Sequence, residues 1–261
     1  MFWFLTASVL FPQSREFPYE LKERDYWLLP AGLGLSAIGA SLYSRQAPIS
    51  AEDILRLDPN DVNALDRGAT DNWSPEWDDR SDLTRNILIC STFLLATAPP
   101  LLEGRWSDAL TVATMMAETA LFVGGATYLT KAAVGRERPY LYNPGLSVEE
   151  KLAVGTNPRA SFFSGHASAA FAAAAFVSKV FADLHGPSLG TKLVWASSMS
   201  LATLTAAARF KAGMHFPTDV IAGAAVGFAI GYMVPTLHRK GGTDGVSIAI
   251  APNLVSLRLR F

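Results

Sequence analysis

Hydrophobic positions fall into six runs, roughly 27–43, 86–102, 109–131, 166–184, 193–210 and 217–237, separated by shorter polar stretches. Most are 17–21 residues long, against about 20 needed to cross the hydrocarbon core of a bilayer. Their interiors are rich in Ala, Gly, Ser and Thr, as in 201–208 and 221–227. Small residues let helix backbones approach closely, a feature of membrane bundles that a tightly packed soluble bundle would share. The expected fold is therefore all-α: a six-helix bundle, transmembrane by preference, with its helical core over about 27–237.

Outside the runs the pattern changes twice. Residues 44–85 are polar and hold Pro48, Pro59, Pro75, Trp73, Trp77 and many acids. They are expected to form an ordered surface segment with short helices, and 57–61 a turn leading into one. After 238–242, Val246, Ile248 and Ile250 alternate with smaller residues, and Val255, Leu257 and Leu259 alternate with Ser256 and Arg258. That period of two predicts a short two-stranded tail over 238–261. No internal repeat or low-complexity linker divides the chain, so 1–261 is expected to be a single domain. Residues 1–11 are almost wholly apolar, too short to span a bilayer and without a basic start. An interfacial anchor, the remains of a signal peptide and an ordinary buried segment all fit them.

Composition narrows the chemistry. Only 17% of residues are charged, below the usual quarter or so, and the net charge of -1 offers no basis for a nucleic-acid partner. Cys90 is the one cysteine, so neither an intrachain disulfide nor a cysteine metal cluster can form; it is expected to be a small buried hydrophobe. Histidine chemistry must come from His166, His185, His215 and His238. Two charges interrupt central runs, Glu118 and Lys179. Each lies 13 positions from the same expected end of the bundle, roughly 20 Å at 1.5 Å per residue. They are expected to face each other as an ion pair, since an unpaired charge there is costly.

Three polar clusters stand at the ends of runs. The third run closes on Lys131-Ala-Ala-Val-Gly-Arg-Glu-Arg138-Pro139, the fourth opens on Ser161-Phe-Phe-Ser164-Gly165-His166, and 209–219 links the fifth to the sixth as Arg209-x5-His215-x3-Asp219. Gly213 and Pro217 mark a tight turn between helices, with Pro217 suited to a first helical turn. Ser164 is a good N-cap, and a helix N-terminus after such a turn attracts anions. Alone, each cluster is more often a solvated loop or a cap than a site. Helices that alternate up and down bring all three to one end. Lys131, Arg138 and Arg209, a helix N-terminus and two histidines then describe a pocket for a tetrahedral oxyanion.

The three motifs, in this order, resemble the signature of the type 2 phosphatidic acid phosphatase superfamily, in particular its bacterial membrane-associated phosphatase branch. The superfamily also includes the bacterial non-specific acid phosphatases and the vanadium haloperoxidases. Two positions depart from its usual pattern: Phe163 stands where proline is usual, and Ala208 where serine is usual. The resemblance implies a metal-independent phosphatase for phosphomonoester or diphosphate groups, lipid-borne for preference, with no cofactor. It implies His215 as nucleophile forming a phosphohistidine, Asp219 as its orienter and His166 as general acid. Lys131, Arg138, Ser164, Gly165 and Arg209 would bind the phosphate. Its alternatives are a soluble periplasmic acid phosphatase acting on small esters, a vanadate-dependent haloperoxidase, and a non-catalytic phospholipid-binding protein.

Basic residues bear on orientation. His238, Arg239 and Lys240 follow the sixth run and Lys192 precedes the fifth. The positive-inside rule makes those ends cytoplasmic and turns the site toward the periplasm or exterior of a bacterial-type inner membrane. With six spans the N-terminus would lie inside, which conflicts with a cleaved signal at 1–11.

Overall fold

In the computed structural model, residues 16–241, 246–251 and 254–259 are described; the apolar stretch 1–11 lies outside them. The α-helices among these residues are α1 (Asp25–Ser44), α2 (Ala51–Leu55), α3 (Pro75–Leu102), α4 (Trp106–Val134), α5 (Val148–Ala153), α6 (Gly165–His185), α7 (Leu189–Lys211) and α8 (Pro217–His238). Four of them, α3, α4, α6 and α8, are long and apolar enough to cross a membrane. This corrects the expected six-helix bundle with a two-stranded tail: among the described residues there are eight α-helices and four candidate spans. Gly and Ser dilute the apolar character of α1, and Ser, Thr and basic residues that of α7. Residues Val246–Ala251 and Leu254–Leu259 pair with each other antiparallel, with Val246 opposite Leu259. They are not part of the helical architecture that builds the site.

Local chemistry sets the helix starts. Ser74 accepts from Trp77 N at 3.3 Å ahead of Pro75 and opens α3. Ser164 caps α6 through Ala167 N at 3.4 Å, and Ser188 caps α7 through Thr191 N at 3.1 Å. Each hydroxyl satisfies a backbone donor that the first turn leaves orphaned. The first three turns of α3 are polar, so an apolar run that begins at residue 86 underestimates the helix by eleven residues. Residues 44–74 hold α2 and two single 3-10 turns, Pro59–Asp61 and Arg67–Ala69. Asp58 accepts from Asn60 N at 2.8 Å to start the first of these.

The Ala-rich helix α6 is the axis, with 78% of its apolar window buried against 28% for α3 and α8. It meets α8 backbone to backbone. A Cβ on Gly223, Gly227 or Gly231 would stand 2.4, 2.0 or 2.2 Å from the carbonyl oxygens of Ser164, Ser168 and Ala172. Glycine every fourth residue makes one smooth stripe along α8, and α6 lies in it. On the far side α1 packs on α4, where Ser36 Oγ donates to Leu121 O at 2.6 Å.

The outward faces are apolar. Trp27, Leu33 and Ile38 on α1, Phe93 and Leu94 on α3, Leu110 on α4 and Ile221 on α8 are all exposed. So many large apolar side chains on the outside of long helices are costly in water and favourable in lipid. They fit a membrane-embedded protein.

Glu118 and Lys179 do not pair. Lys179 bonds Asp183 one turn along α6 and lies 5.6 Å from the Tyr232 ring centre. Glu118 instead turns toward Asp25 and His238. Cys90 is exposed, not buried, because it lies on the outer face of α3.

Candidate active site

The ends of α4 and α7 meet the starts of α3, α6 and α8 at one end of the body. There Lys131, Arg138, His166, Arg209 and His215 line one pocket of about 410 Å³, together with Tyr43, Asp78, Asp82 and residues 155–157. Five of the eight residues expected at the site therefore converge on one space. Ser164 is fully buried and spent on capping α6. Gly165 lines an adjoining cavity, and Asp219 lies behind His215.

The turn before α8 depends on Gly213, whose φ of +73° suits glycine and whose Cβ would stand 2.1 Å from Asn72 O. The turn delivers His215 into the core, 1% exposed. His215 Nδ1 lies 2.7 Å from Ser161 O. A carbonyl only accepts, so Nδ1 carries the proton and Nε2 keeps its lone pair. Burial, and then the charges of Arg138, Lys131 and Arg209, push the His215 pKa well below the usual histidine value. The ring is neutral at neutral pH, as a nitrogen nucleophile must be.

Asp219 does not reach that ring directly. Its nearer oxygen is 3.8 Å from His215 Nδ1, beyond hydrogen-bond range. Oδ2 accepts instead from Ser161 Oγ at 2.5 Å and Phe216 N at 2.9 Å, and Oδ1 from Arg136 Nη1 at 2.6 Å. The carboxylate sits in the first turn of α8, where backbone donors claim it. Its hold on His215 passes through Ser161, whose carbonyl sets the tautomer.

Behind this lies a lattice that sequence reading missed. Arg136 also bonds Asp66 Oδ2 at 2.8 Å and Thr218 Oγ1 at 2.9 Å, and its guanidinium covers the Phe216 ring at 4.0 Å. Asp66 accepts from Thr218 N at 3.0 Å and Thr218 Oγ1 at 2.6 Å. Burial acts to raise the Asp66 pKa, but bonds from Arg136, Thr218 and Asn63 outweigh it and hold the carboxyl below its usual range. Arg136 lies inside the Lys131–Arg138 motif, yet spacing alone singles out only the two ends. Asp66 is one of many acids in 44–85 and carries no distinguishing signal.

The cations already have partners. Lys131 Nζ donates to Ala160 O at 2.7 Å, and Arg138 to Asn157 O at 2.9 Å and Met214 O at 3.1 Å. Arg209 Nη1 bonds Asp78 Oδ1 and reaches Ser81 Oγ at 3.2 Å, while its Nε has no hydrogen-bond partner. His166 Nε2 lies 2.5 Å from Asp82 Oδ1 and against Arg85 Nη1. Asp78, Asp82 and Arg85 all come from the polar first turns of α3, one face of one helix at near-fourfold spacing. That spacing was available in the sequence and only the helix start was misjudged.

Beside the polar pocket runs a second cavity of about 450 Å³, sharing Tyr43, Lys131 and His166 with it. Its other walls are mostly apolar, including Ile89 of α3, Met116 and Val123 of α4, and Ala169, Ala173 and Phe176 of α6. A cationic pocket with a neutral imidazole nitrogen can hold a phosphoryl group and attack it. The apolar cavity beside it can take a hydrocarbon chain.

A family model described as the PAP2 superfamily matches residues 108–242. That is just over half of the chain, and the chain belongs to this superfamily. Among solved structures it is similar to the crystal structure of the first transmembrane PAP2 type phosphatidylglycerolphosphate phosphatase from Bacillus subtilis, at 18% identity and a TM-score of 0.47, over 82% of this chain and 94% of that one. No curated protein matches.

Proposed function

We propose that this protein is a membrane phosphatase that removes the terminal phosphate of a lipid phosphate ester through a phosphohistidine. The observation that carries the reading is the junction of the two cavities. The cationic pocket around His215 and an apolar cavity of similar size share Tyr43, Lys131 and His166 as walls. A phosphate bearing a hydrocarbon chain uses both spaces, whereas a small soluble ester leaves the apolar one unfilled.

In the proposed reaction Lys131, Arg138 and Arg209 hold the phosphate oxygens. His215 Nε2 forms the new N–P bond as the P–O bond to the lipid breaks. His166 gives its proton to the departing oxygen. Water then attacks phosphorus, its proton passes to His166, and the N–P bond breaks to release phosphate and neutral His215. Developing charge on the equatorial oxygens is met by fixed cations, so no step is routed through a metal. Substrate phosphate takes the places that Asp78 and Asp82 hold on Arg209 and His166 in the resting pocket. Lys192, Arg239 and Lys240 lie at the opposite end of the body, which supports a site facing the periplasm or exterior.

The test is phosphate release by the detergent-purified protein with a long-chain lipid phosphate and a short-chain analogue of the same headgroup, each with and without chelator. The expected result is a kcat/KM at least tenfold higher for the long chain, unchanged by chelator, and radiolabel trapped on wild-type protein by rapid quench at neutral or alkaline pH but not on His215→Ala. Equal kcat/KM for both chain lengths would remove the lipid assignment, and label on His215→Ala would remove the nucleophile.

A further inference from the structure

At the far end of the body, about 20 Å along α4 from Lys131 by helical rise, three buried side chains from three helices point at one another. They are Asp25 at the start of α1, Glu118 within α4 and His238 at the end of α8, between 0% and 5% exposed. His238 Nε2 lies 3.2 Å from Asp25 Oδ1 and 3.4 Å from Glu118 Oε2, and the three atoms all lie within 4.8 Å of one another. None of the three accepts or donates a hydrogen bond, and neither does the other Glu118 oxygen.

The outer contacts aim these atoms inward. His238 Nδ1 lies 2.9 Å from Val234 O, so it carries the proton and Nε2 presents a lone pair. Asp25 Oδ2 accepts from Lys22 N at 2.6 Å, which turns Oδ1 toward the cluster. Imidazole with its far N–H fixed by a carbonyl is the arrangement seen in metal-ligating histidines. Arg24 Nε forms an ion pair with Asp25 Oδ1 at 3.6 Å, and it too has no hydrogen-bond partner. Lone pairs of three buried acceptors therefore converge with the Arg24 guanidinium beyond hydrogen-bond range of Asp25, an arrangement that a bound cation would satisfy.

We propose that Asp25, Glu118 and His238 bind one divalent first-row metal ion, zinc by geometry, with a water as the fourth ligand. Zinc bonds of about 2.0–2.2 Å to nitrogen and carboxylate oxygen, opened at the tetrahedral angle, put neighbouring ligand atoms roughly 3.3–3.6 Å apart. The spacings of 3.2 and 3.4 Å from His238 are close to that edge. Two carboxylates balance the charge of a divalent ion. The role is structural: the ion ties the start of α1 and the end of α8 to the middle of α4. Backbone bonds from Glu20 N to His238 O at 3.0 Å and from Lys240 N to Pro18 O at 2.8 Å join the same two chain ends. His215 and its pocket take no part.

The experiment uses full-length protein purified in detergent without added metal. Metal content is measured by mass spectrometry before and after chelator dialysis, and thermal unfolding is followed in both states and after zinc is restored. The expected result is about one zinc per chain, a melting temperature that drops by several degrees on removal and recovers on addition, and a tenfold or greater loss of bound zinc in Glu118→Gln and His238→Gln. Cobalt(II) on the stripped wild type, which needs no variant to fold, should give the intense visible bands of four-coordinate geometry. Turnover, assayed well below the melting temperature, stays unchanged on zinc removal. Wild-type protein that takes up neither zinc nor cobalt and melts identically with chelator overturns the site. Full zinc binding in both variants overturns its location.

Discussion

The glycine stripe of α8 places the two histidines, and Gly227→Ala tests it. A methyl group at Gly227 would stand 2.0 Å from Ser168 O, whereas ordinary contact begins near 3.4 Å. The obstacle is α6 backbone, which cannot rotate aside, so α8 must move away by more than 1 Å. Overpacking of this kind costs about 1–3 kcal/mol, or more where the contact is rigid; better helix propensity returns only about 1 kcal/mol. The larger consequence is functional. His166 opens α6 and His215 precedes α8, so separating these helices opens the distance between the proposed acid and the proposed nucleophile. A displacement of about 1 Å can cost about a hundredfold in rate. Gly34→Ala in α1 is the control, because its methyl group meets nothing within 4 Å and should stabilise by up to about 1 kcal/mol. Phosphate release and thermal unfolding are measured on both variants. Gly227→Ala is expected to lose about a hundredfold in kcat and to melt lower, and Gly34→Ala to match wild type or melt slightly higher. Wild-type kcat and melting in Gly227→Ala would show that this contact does not set the site.

Three further outcomes follow from the pocket. His215→Ala abolishes release from every ester, whereas His166→Ala loses about 10²–10⁴-fold on alkyl phosphates and much less on p-nitrophenyl phosphate, whose leaving group needs no proton; equal losses on both would remove His166 as the acid. Because His215 is held well below its usual 6.5 in the folded protein, the ring stays neutral below that pH, and the acid limb of kcat/KM, corrected for substrate ionisation, falls well under 6.5. The unfolded chain then binds the extra proton first, so stability declines as pH drops below about 6.5, and His215→Gln should flatten that slope; an acid limb centred at 6.5 contradicts the assignment. Asp78→Asn releases Arg209 and is expected to tighten inhibition by inorganic phosphate about tenfold, the worth of one charged hydrogen bond, and unchanged inhibition would show that Asp78 does not compete with phosphate.

How much of this was legible in the sequence depended on which signal carried it. Lys131, Arg138, His166, Arg209 and His215 were readable because each stands where an apolar run meets a turn, and opposed helix directions then force them together. The bundle itself was overcounted because run length alone treated α1 and α7 like the spans, although their Gly, Ser, Thr and basic residues dilute them. The start of α3 was missed for the opposite reason. Its first turns carry only Trp77 and Leu83 among polar residues, so hydrophobic periodicity could not register them, and Ser74-Pro75 was the only mark of the cap. With that start went Asp78, Asp82 and Arg85. Pairings between distant segments, such as Arg136 with Asp66 or Glu118 with His238, leave no periodic trace. They depend on which face each helix turns inward, which packing decides.

Those missed residues change how the pocket works. Lys131, Arg138 and Arg209 bring three positive charges to it, and Asp78 and Asp82 bring two negative ones. The resting site is therefore close to balanced. Bare cations of that number at 4–7% exposure would repel one another and destabilise the fold. In the proposed reaction the aspartates stand in for substrate oxygens: Asp78 bonds Arg209 and Asp82 faces His166 where phosphate would bind. They come from α3, whereas the backbone acceptors for Lys131 and Arg138 come from 157–160 and the turn before α8. A phosphate can displace side-chain carboxylates at little cost to the backbone and leave the carbonyl contacts intact. On the proposed mechanism two of the three cations thus stay fixed throughout, and the third is exchanged between an internal anion and the substrate. That division explains why the pocket can be preorganised for an anion and still be stable without one.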